Sequence, residues 1–224
     1  MSQASIIAID GPAASGKSTL GKRLAGTLGY LFFDTGVMYR AVTWAVIIEA
    51  MDVQDEVAVT DLARRVQIDV RPPSLDDQRA CDVLMDGKDI TWDTRTPEVE
   101  AIVSIVSTYA GVRHELAAQQ RRIGLRGKVV MVGRDIGTVV LPEADIKIYL
   151  DASAEVRARR RYDELLGRGE HPNYLKILAG VRMRDQIDST RDVAPLKVAE
   201  DAIVIDTDRL DADEVFKKAE ALCR

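Results

Sequence analysis

Gly11-Pro-Ala-Ala-Ser-Gly16-Lys17-Ser18, with Thr19 behind it, matches G-x-x-x-x-G-K-[ST] at every fixed position. The run before it, Ser5-Ile-Ile-Ala-Ile9, reads as a strand buried on both faces. After it the spacing predicts a helix from about Gly16 to Leu28, stopped by Gly29 in a left-handed cap position. This order has a chemical reason. Glycines let the backbone turn tightly so that successive N–H groups face phosphate oxygens. The helix beginning there adds its positive N-terminal end. Lys17 is expected to reach the β- and γ-phosphates, and the Ser18 hydroxyl to ligate Mg²⁺ whose other ligands are phosphate oxygens and water. Residues Gly11, Pro12, Ala13, Ala14, Ser15, Gly16, Lys17, Ser18 and Thr19 are therefore read as a triphosphate site. The stretch implies binding of a nucleoside triphosphate and leaves any second substrate open.

Working outward, short apolar runs alternate with helical patterns. Tyr30–Phe33, Val129–Val132, Ile146–Leu150 and Ala202–Ile205 read as further strands. Helices are predicted over about Val37–Met51, Ala154–Leu166, Tyr174–Ser189 and Asp213–Leu222. Such alternation implies the α/β class, with a five-stranded parallel core sheet flanked by helices. One region breaks the rhythm. Gln67–Arg71 and Cys81–Met85 carry apolar residues mostly at alternate positions, and an Asp86-Gly87 turn follows. They predict a small antiparallel insertion, a hairpin or a three-stranded sheet.

Composition narrows the function classes. With 46% apolar and 30% charged residues the 224-residue chain can bury a sizeable core. A net charge of −5 argues against non-specific nucleic-acid binding, which needs a basic surface to displace counterions. Cys81 and Cys223 are the two cysteines, without CxxC spacing, and fit a reducing compartment rather than a disulfide or zinc framework. The start of the chain lacks the pattern of a secretory signal, and no apolar run approaches the ~20 residues of a membrane helix. The expectation is a cytoplasmic monomer with no nucleic-acid or membrane partner, since no coiled-coil seam asks for an oligomer.

The phosphate cradle is shared by GTPases, motor ATPases and small-molecule kinases. No N-K-x-D element for guanine is present, and Val129–Val132 runs into Gly-Arg134-Asp135 rather than an acidic pair. Transfer onto a phosphate acceptor joins two anionic groups and needs arginines converging on one point. Arg40, Arg113, Arg134, Arg184 and Arg191 lie near predicted element ends, while Arg157, Arg159, Arg160 and Arg161 crowd one helix. A charge run is ordinarily a solvated face, but four arginines in five residues repel one another without an anionic partner. That points to an anionic partner for the cluster.

Several longer stretches are more selective. They are Ile9–Thr19, Asp34-Thr-Gly-Val-Met-Tyr-Arg40, Ile90–Val99, Gly133-Arg-Asp-Ile-Gly-Thr-Val-Val140, Lys147–Ala152 and Arg184–Leu196. In these, and in their order along nearly the whole chain, the sequence resembles the bacterial cytidylate kinases of the nucleoside monophosphate kinase group. The resemblance implies one kinase domain over 1–224: a core (about 1–35, 110–153 and 169–224), a monophosphate-binding region carrying the β insertion (about 36–109) and a lid (about 154–168). It also implies ATP and CMP or dCMP as partners, with Mg²⁺ accompanying the ATP. Arg40 and Arg134 would hold the acceptor phosphate, where a planar guanidinium pairs two oxygens at once. Thr35, Arg113, Asp135 and Arg191 would read the cytosine; the family often has Ser where this chain has Thr35. Ser104, Arg184 and Asp188 would meet the sugar. Lys17, Arg134, Arg157, Arg160 and Arg161 would stabilise the transferring phosphoryl group, and Asp34 would meet Mg²⁺ through water. Spacing alone offers plainer alternatives. Arg40 would be a solvated helix charge, Asp135 an ion pair with a nearby arginine, and Arg184–Asp188 an i,i+4 surface pair. Kinases of shikimate or AMP would lack the R-D-x-x-D-x-x-R segment and the insertion. A nucleotide-sensing module would have no use for a lid cluster beside a second anion site. His114 and His171 are left without a catalytic role.

Overall fold

In the computed structural model, residues 4–223 are described; the outermost ends of the expected core, 1–3 and 224, lie outside them. The chain runs β1 (Ile6–Asp10), α1 (Lys17–Leu28), β2 (Leu31–Asp34), α2 (Gly36–Ile48), α3 (Glu56–Arg65), β3 (Ile68–Arg71), β4 (Asp82–Met85) and β5 (Lys88–Asp89). It continues through α4 (Pro97–Val106), α5 (Ala110–Gly124), β6 (Val129–Val132), β7 (Ile146–Asp151), α6 (Ala154–Gly167), α7 (Tyr174–Thr190), β8 (Ile203–Asp206) and α8 (Ala212–Leu222).

Five strands form a parallel sheet in the order β2-β6-β1-β7-β8. Its central strand is apolar on both faces for a reason visible in the packing. Ala8 of β1 joins one core cluster with Phe33, Val129 and Met131, while Ile7 and Ile9 join another with Leu24, Val130 and Leu150. Alternate side chains thus feed helices on opposite faces, as a doubly covered parallel sheet requires. Ile6 of β1 pairs Val129 of β6 on one side, and Ile7 pairs Ile146 of β7 on the other. The ends of β1, β6 and β2 therefore lie together at one edge, where parallel α/β sheets place their ligands.

The expected insertion is a three-stranded antiparallel sheet in the order β3-β4-β5. Asp86 and Gly87, with φ of 51° and 82°, make the turn between β4 and β5 that positive-φ residues favour. Ile68, Val70, Val83 and Met85 are buried and join the same core as β6. The sheet's open end is closed by Arg79, which donates to Asp77, Asp82 and Asp89, while the Trp92 indole N–H also donates to Asp77.

The helix ends follow their residues. Gly29 stops α1 at φ 68°, its N–H donating to the Ala25 carbonyl. Ser153 caps α6, and Asp211 with Glu214 makes a reciprocal box at α8. Helices α3, α4 and α5 add to those placed above from periodicity. Among the described residues, no helix is long and apolar enough to cross a membrane.

Candidate active site

Asp10 ends β1, and the loop after it curls through unusual backbone. Gly11 has φ 146°, and a Cβ there would sit 2.2 Å from the Leu150 carbonyl oxygen, so only glycine fits. Ala14 is held at φ 59°, a left-handed conformation that costs roughly 1–2 kcal/mol. Lys17 is buried, its Nζ donating to the Pro12 carbonyl at 2.6 Å and to Ser15 Oγ at 3.4 Å. Burial, and next the Arg134 charge, hold the Lys17 ammonium well below its usual range. An incoming polyphosphate would add negative charge beside this ammonium and favour its charged form.

The Ser18 hydroxyl donates to Asp34 Oδ2 at 2.9 Å, and Asp34 Oδ1 accepts the Gly36 N–H at 3.0 Å. Among the described residues no group of three or more His, Cys, Asp or Glu is placed to hold a metal. Two neighbouring oxygens at a phosphate cradle suit a hard divalent cation that arrives with its phosphates and keeps its waters.

Beside the loop opens a cavity of about 420 Å³, lined by Lys17, Ser18, Asp34, Thr35, Tyr39, Arg40, Glu100, Ser104, Ser107, Arg113, Arg134, Asp135, Arg184 and Arg191 among others. The cations dominate it. Arg40, in the second turn of α2, pairs with Glu100 of α4 at 2.6 Å. Ser104 lies one turn further along α4 and is exposed to the cavity. Thr35 is buried, its hydroxyl donating to the Val132 carbonyl at 3.1 Å.

Two carboxylates organise the arginines. Asp188, 1% exposed, accepts from Arg134 Nε at 2.9 Å and faces Arg191 at 3.4 Å and Arg184 at 3.3 Å. Burial alone would raise its pKa, but Arg134, Arg184 and Arg191 together hold it below the ordinary carboxylate value. Asp188 is not itself among the lining residues. Asp135 accepts from Arg113 at 3.0 Å and has Arg191 at 3.8 Å. Burial outweighs those arginines and pushes the Asp135 carboxyl up. Among the described residues, Arg113 Nε and Arg191 Nη2 are buried without a hydrogen-bond partner. Arg113, Arg191 and Asp135 all line the cavity, so a planar ring entering it meets two guanidinium donors beside one carboxylate acceptor.

The arginines of α6 sit differently from expectation. Arg157 is buried and forks onto Asp185 of α7 at 2.9 and 2.5 Å, while also donating to the Ala13 carbonyl of the phosphate loop. Arg160 donates to the Thr207 carbonyl, and Arg161 pairs with Glu164 at 2.8 Å. Arg159 stacks over Tyr162 and Tyr174. The argument from unrelieved repulsion is thereby weakened: Arg157 and Arg161 have carboxylate partners within the chain, while Arg160 rests on a neutral carbonyl and Arg159 on two rings. What remains is geometry: Arg157 touches the phosphate loop directly. Arg160 lines a second cavity of about 230 Å³ with Ser15, Gly16, Thr19, Leu20, Thr207, Leu210, Asp211, Ala212 and Val215. Neither His114 nor His171 lines either cavity, and both are exposed.

Residues 7–224 match the model of the family described as cytidylate kinase. The chain belongs to the cytidylate kinase family. It is 52% identical over 216 residues to a cytidylate kinase from Roseiflexus castenholzii, covering 96% of this chain and 91% of the relative. Identity to those of Herpetosiphon aurantiacus and Bacillus licheniformis is 50% over 211 residues (94% and 90% covered) and 46% over 212 residues (95% and 92% covered).

For a cytidylate kinase the cavity contains more than the motifs announced. Tyr39, Glu100 and Ser107 line it without having been singled out. Tyr39 lies one residue before Arg40 in the quoted stretch, and its ring is 5.6 Å from the Arg113 guanidinium. Asp185 and Thr207 hold the α6 arginines, and Asp10 lies at the root of the phosphate loop. Asp185 was legible in principle, as the acid following Arg184 on a helix facing an arginine-rich one. Thr207 carried no sequence signal.

Proposed function

We propose that the enzyme transfers the γ-phosphoryl group of Mg-ATP to CMP or dCMP, giving ADP and CDP or dCDP. The observation that carries this reading is Asp135, a buried acceptor flanked by the guanidiniums of Arg113 and Arg191, in an arginine-lined cavity that opens onto Lys17. Cytosine presents an exocyclic amine to Asp135, and a ring nitrogen and carbonyl to the two guanidiniums. Uracil places a carbonyl where that amine would be, leaving two acceptors facing each other in a buried site.

The acceptor phosphate lies between Arg40 and Arg134, and the sugar against Ser104 and Arg184, with Asp188 acting through the guanidiniums it holds. Thr35 completes the base site. On the donor side, the polyphosphate follows the loop to Lys17, and the adenosine end occupies the smaller cavity under Arg160. Ser18, and Asp34 through water, hold Mg²⁺ with the phosphate oxygens. Arg157, Arg160 and Arg161 make the lid helix, and the chain divides into the core, monophosphate-binding and lid segments that the family resemblance implies. No proton acceptor is required, because the attacking oxygen is already anionic; positioning and charge neutralisation do the chemistry. The same reading makes the enzyme a cytoplasmic monomer with no nucleic-acid partner.

The test is an ADP-release assay with Mg-ATP against CMP, dCMP, UMP, AMP and shikimate, run with the native protein and Asp135→Ala. Turnover is expected for the cytidine monophosphates, and the substitution should narrow the preference for CMP over UMP by roughly 10- to 100-fold, the effect of one buried hydrogen bond. Efficient turnover of AMP or shikimate, or an unchanged CMP preference in the variant, would sink the assignment.

A further inference from the structure

Asp10 is a buried acid set directly before a loop built to attract phosphates, which is electrostatically the wrong sign for that loop. Both its carboxylate oxygens are engaged elsewhere. Oδ1 accepts the Ile136 N–H at 2.8 Å and Oδ2 the Gly137 N–H at 2.7 Å. These two residues head a single turn of π-helix, Ile136–Val140, and N–H groups at such a start have no partner within the turn. Just upstream, the Gly133 N–H donates to the Ile9 carbonyl at 3.0 Å. The chain is thus pinned to Ile9 at Gly133 and to Asp10 at Ile136 and Gly137. Between the pins lie Arg134 and Asp135 alone, and both line the acceptor cavity. Both anchors belong to the dipeptide leading straight into Gly11.

We infer that Asp10 is a positioning residue for acceptor recognition: it fixes Arg134 and Asp135 at a set distance from the loop that cradles the donor. This inference rests on the (d)CMP kinase reading above. A carboxylate is the suitable group, because two adjacent N–H donors need two acceptor oxygens. A side-chain amide supplies one acceptor and turns its own N–H₂ against the other donor. An aliphatic side chain supplies neither.

The experiment compares Asp10→Asn and Asp10→Ser with the native enzyme. CMP and UMP are varied at saturating Mg-ATP, and ATP is varied at saturating CMP, with a circular-dichroism melt to establish that each variant folds. In a folded variant the KM for CMP should rise about tenfold or more, from loss of a charge-assisted hydrogen bond. The preference for CMP over UMP should fall about as far, while the KM for ATP stays within about threefold. A purely architectural residue would not separate acceptor from donor in this way. Folded variants with native CMP kinetics, or with ATP and CMP weakened alike, overturn the inference. So does failure of both variants to fold, since Asp10 would then serve the fold alone. If the native enzyme does not phosphorylate CMP, the reaction assigned above falls and takes the inference with it. Native activity with unchanged variants removes the inference alone.

Discussion

Burial raises the Asp10 carboxyl to about 6, against the partial relief given by the Gly137 and Ile136 N–H groups. Its effect on stability has the opposite sign to that of a salt-bridged acid. Between about pH 4 and 6 the folded state keeps a proton that the unfolded chain has released, so folding loses stability as pH rises through this window. The distance from an ordinary carboxyl at 3.8 to one at about 6 corresponds to roughly 3 kcal/mol, fully expressed above pH 6. Denaturant unfolding of the native protein and Asp10→Asn at pH 4 and pH 7 checks this. The stability of the native protein relative to the variant should shrink by up to that amount as pH rises, whereas a pH-independent gap contradicts it. Asp188 contributes in the other direction: its lowered pKa stabilises at neutral pH and that stabilisation is lost on acidification. At this scale the sequence was readable where a residue type is demanded by chemistry, as with Lys17, Ser18 and the cavity arginines. It was silent on Asp10, because an acid before a phosphate loop makes sense only once Ile136 and Gly137 are brought beside it. Asp188 sits beneath the arginines rather than in the cavity lining for a similar reason: three guanidiniums converge on it from Arg134, Arg184 and Arg191.

Among the elements, the antiparallel insertion is the least self-sufficient, since a four-residue β3 and a two-residue β5 flank β4. Its integrity depends on Arg79, whose side chain is 4% exposed and meets Asp77, Asp82 and Asp89 within 3 Å. Arg79→Leu leaves three carboxylates facing one another. Hydrogen exchange should show at least about tenfold faster exchange for amides in 68–92, with β1 and β6 amides unchanged, because stability is local to such units. Equal loss across the molecule would show instead that the insertion is not an independent unit. The strands of the parallel sheet and helices α1, α2, α6, α7 and α8 were visible because their apolar residues recur at the right period, and Asp86-Gly87 marked its turn outright. Helices α4 and α5 were not read from the sequence. Only Ser107-Thr108-Tyr109 lies between them, without a Gly or Pro to mark the break, and the last turn of α4 is closed by Ser107 and Thr108 hydroxyls donating back to Ser104 and Ile105 carbonyls. The α6 arginines showed the reverse fault. Their clustering was plain in sequence, but the partner Asp185 lies 28 residues away on α7.

For the molecule as a whole, the two cavities lie on either side of one loop, with Lys17 lining the larger and Ser15, Gly16 and Thr19 lining the smaller. Each nucleotide should therefore stabilise the fold separately. At a hundred times its Kd, either one should add about 2.7 kcal/mol, or about 5–10 °C in Tm for a chain of this size. Lys17→Met should lose most of the stabilisation produced by ATP and keep that produced by CMP in a thermal melt. Loss of both would mean that the two sites are not separable. The sheet that makes this arrangement possible also dictates when it can exist. β1 carries the root of the phosphate loop, yet its neighbours are β6 and β7, with Ile6 against Val129 and Ile7 against Ile146. While the chain emerges from the ribosome, the Ile6–Asp10 segment has no strand to pair with until more than half of the protein has been synthesised. Its isoleucines, and Leu31, Phe32 and Phe33 of the strand waiting for the same β6, stay open to solvent and to other nascent chains during that interval. Growth temperature and the pace of translation through the 35–130 stretch are thus expected to affect the yield of this enzyme.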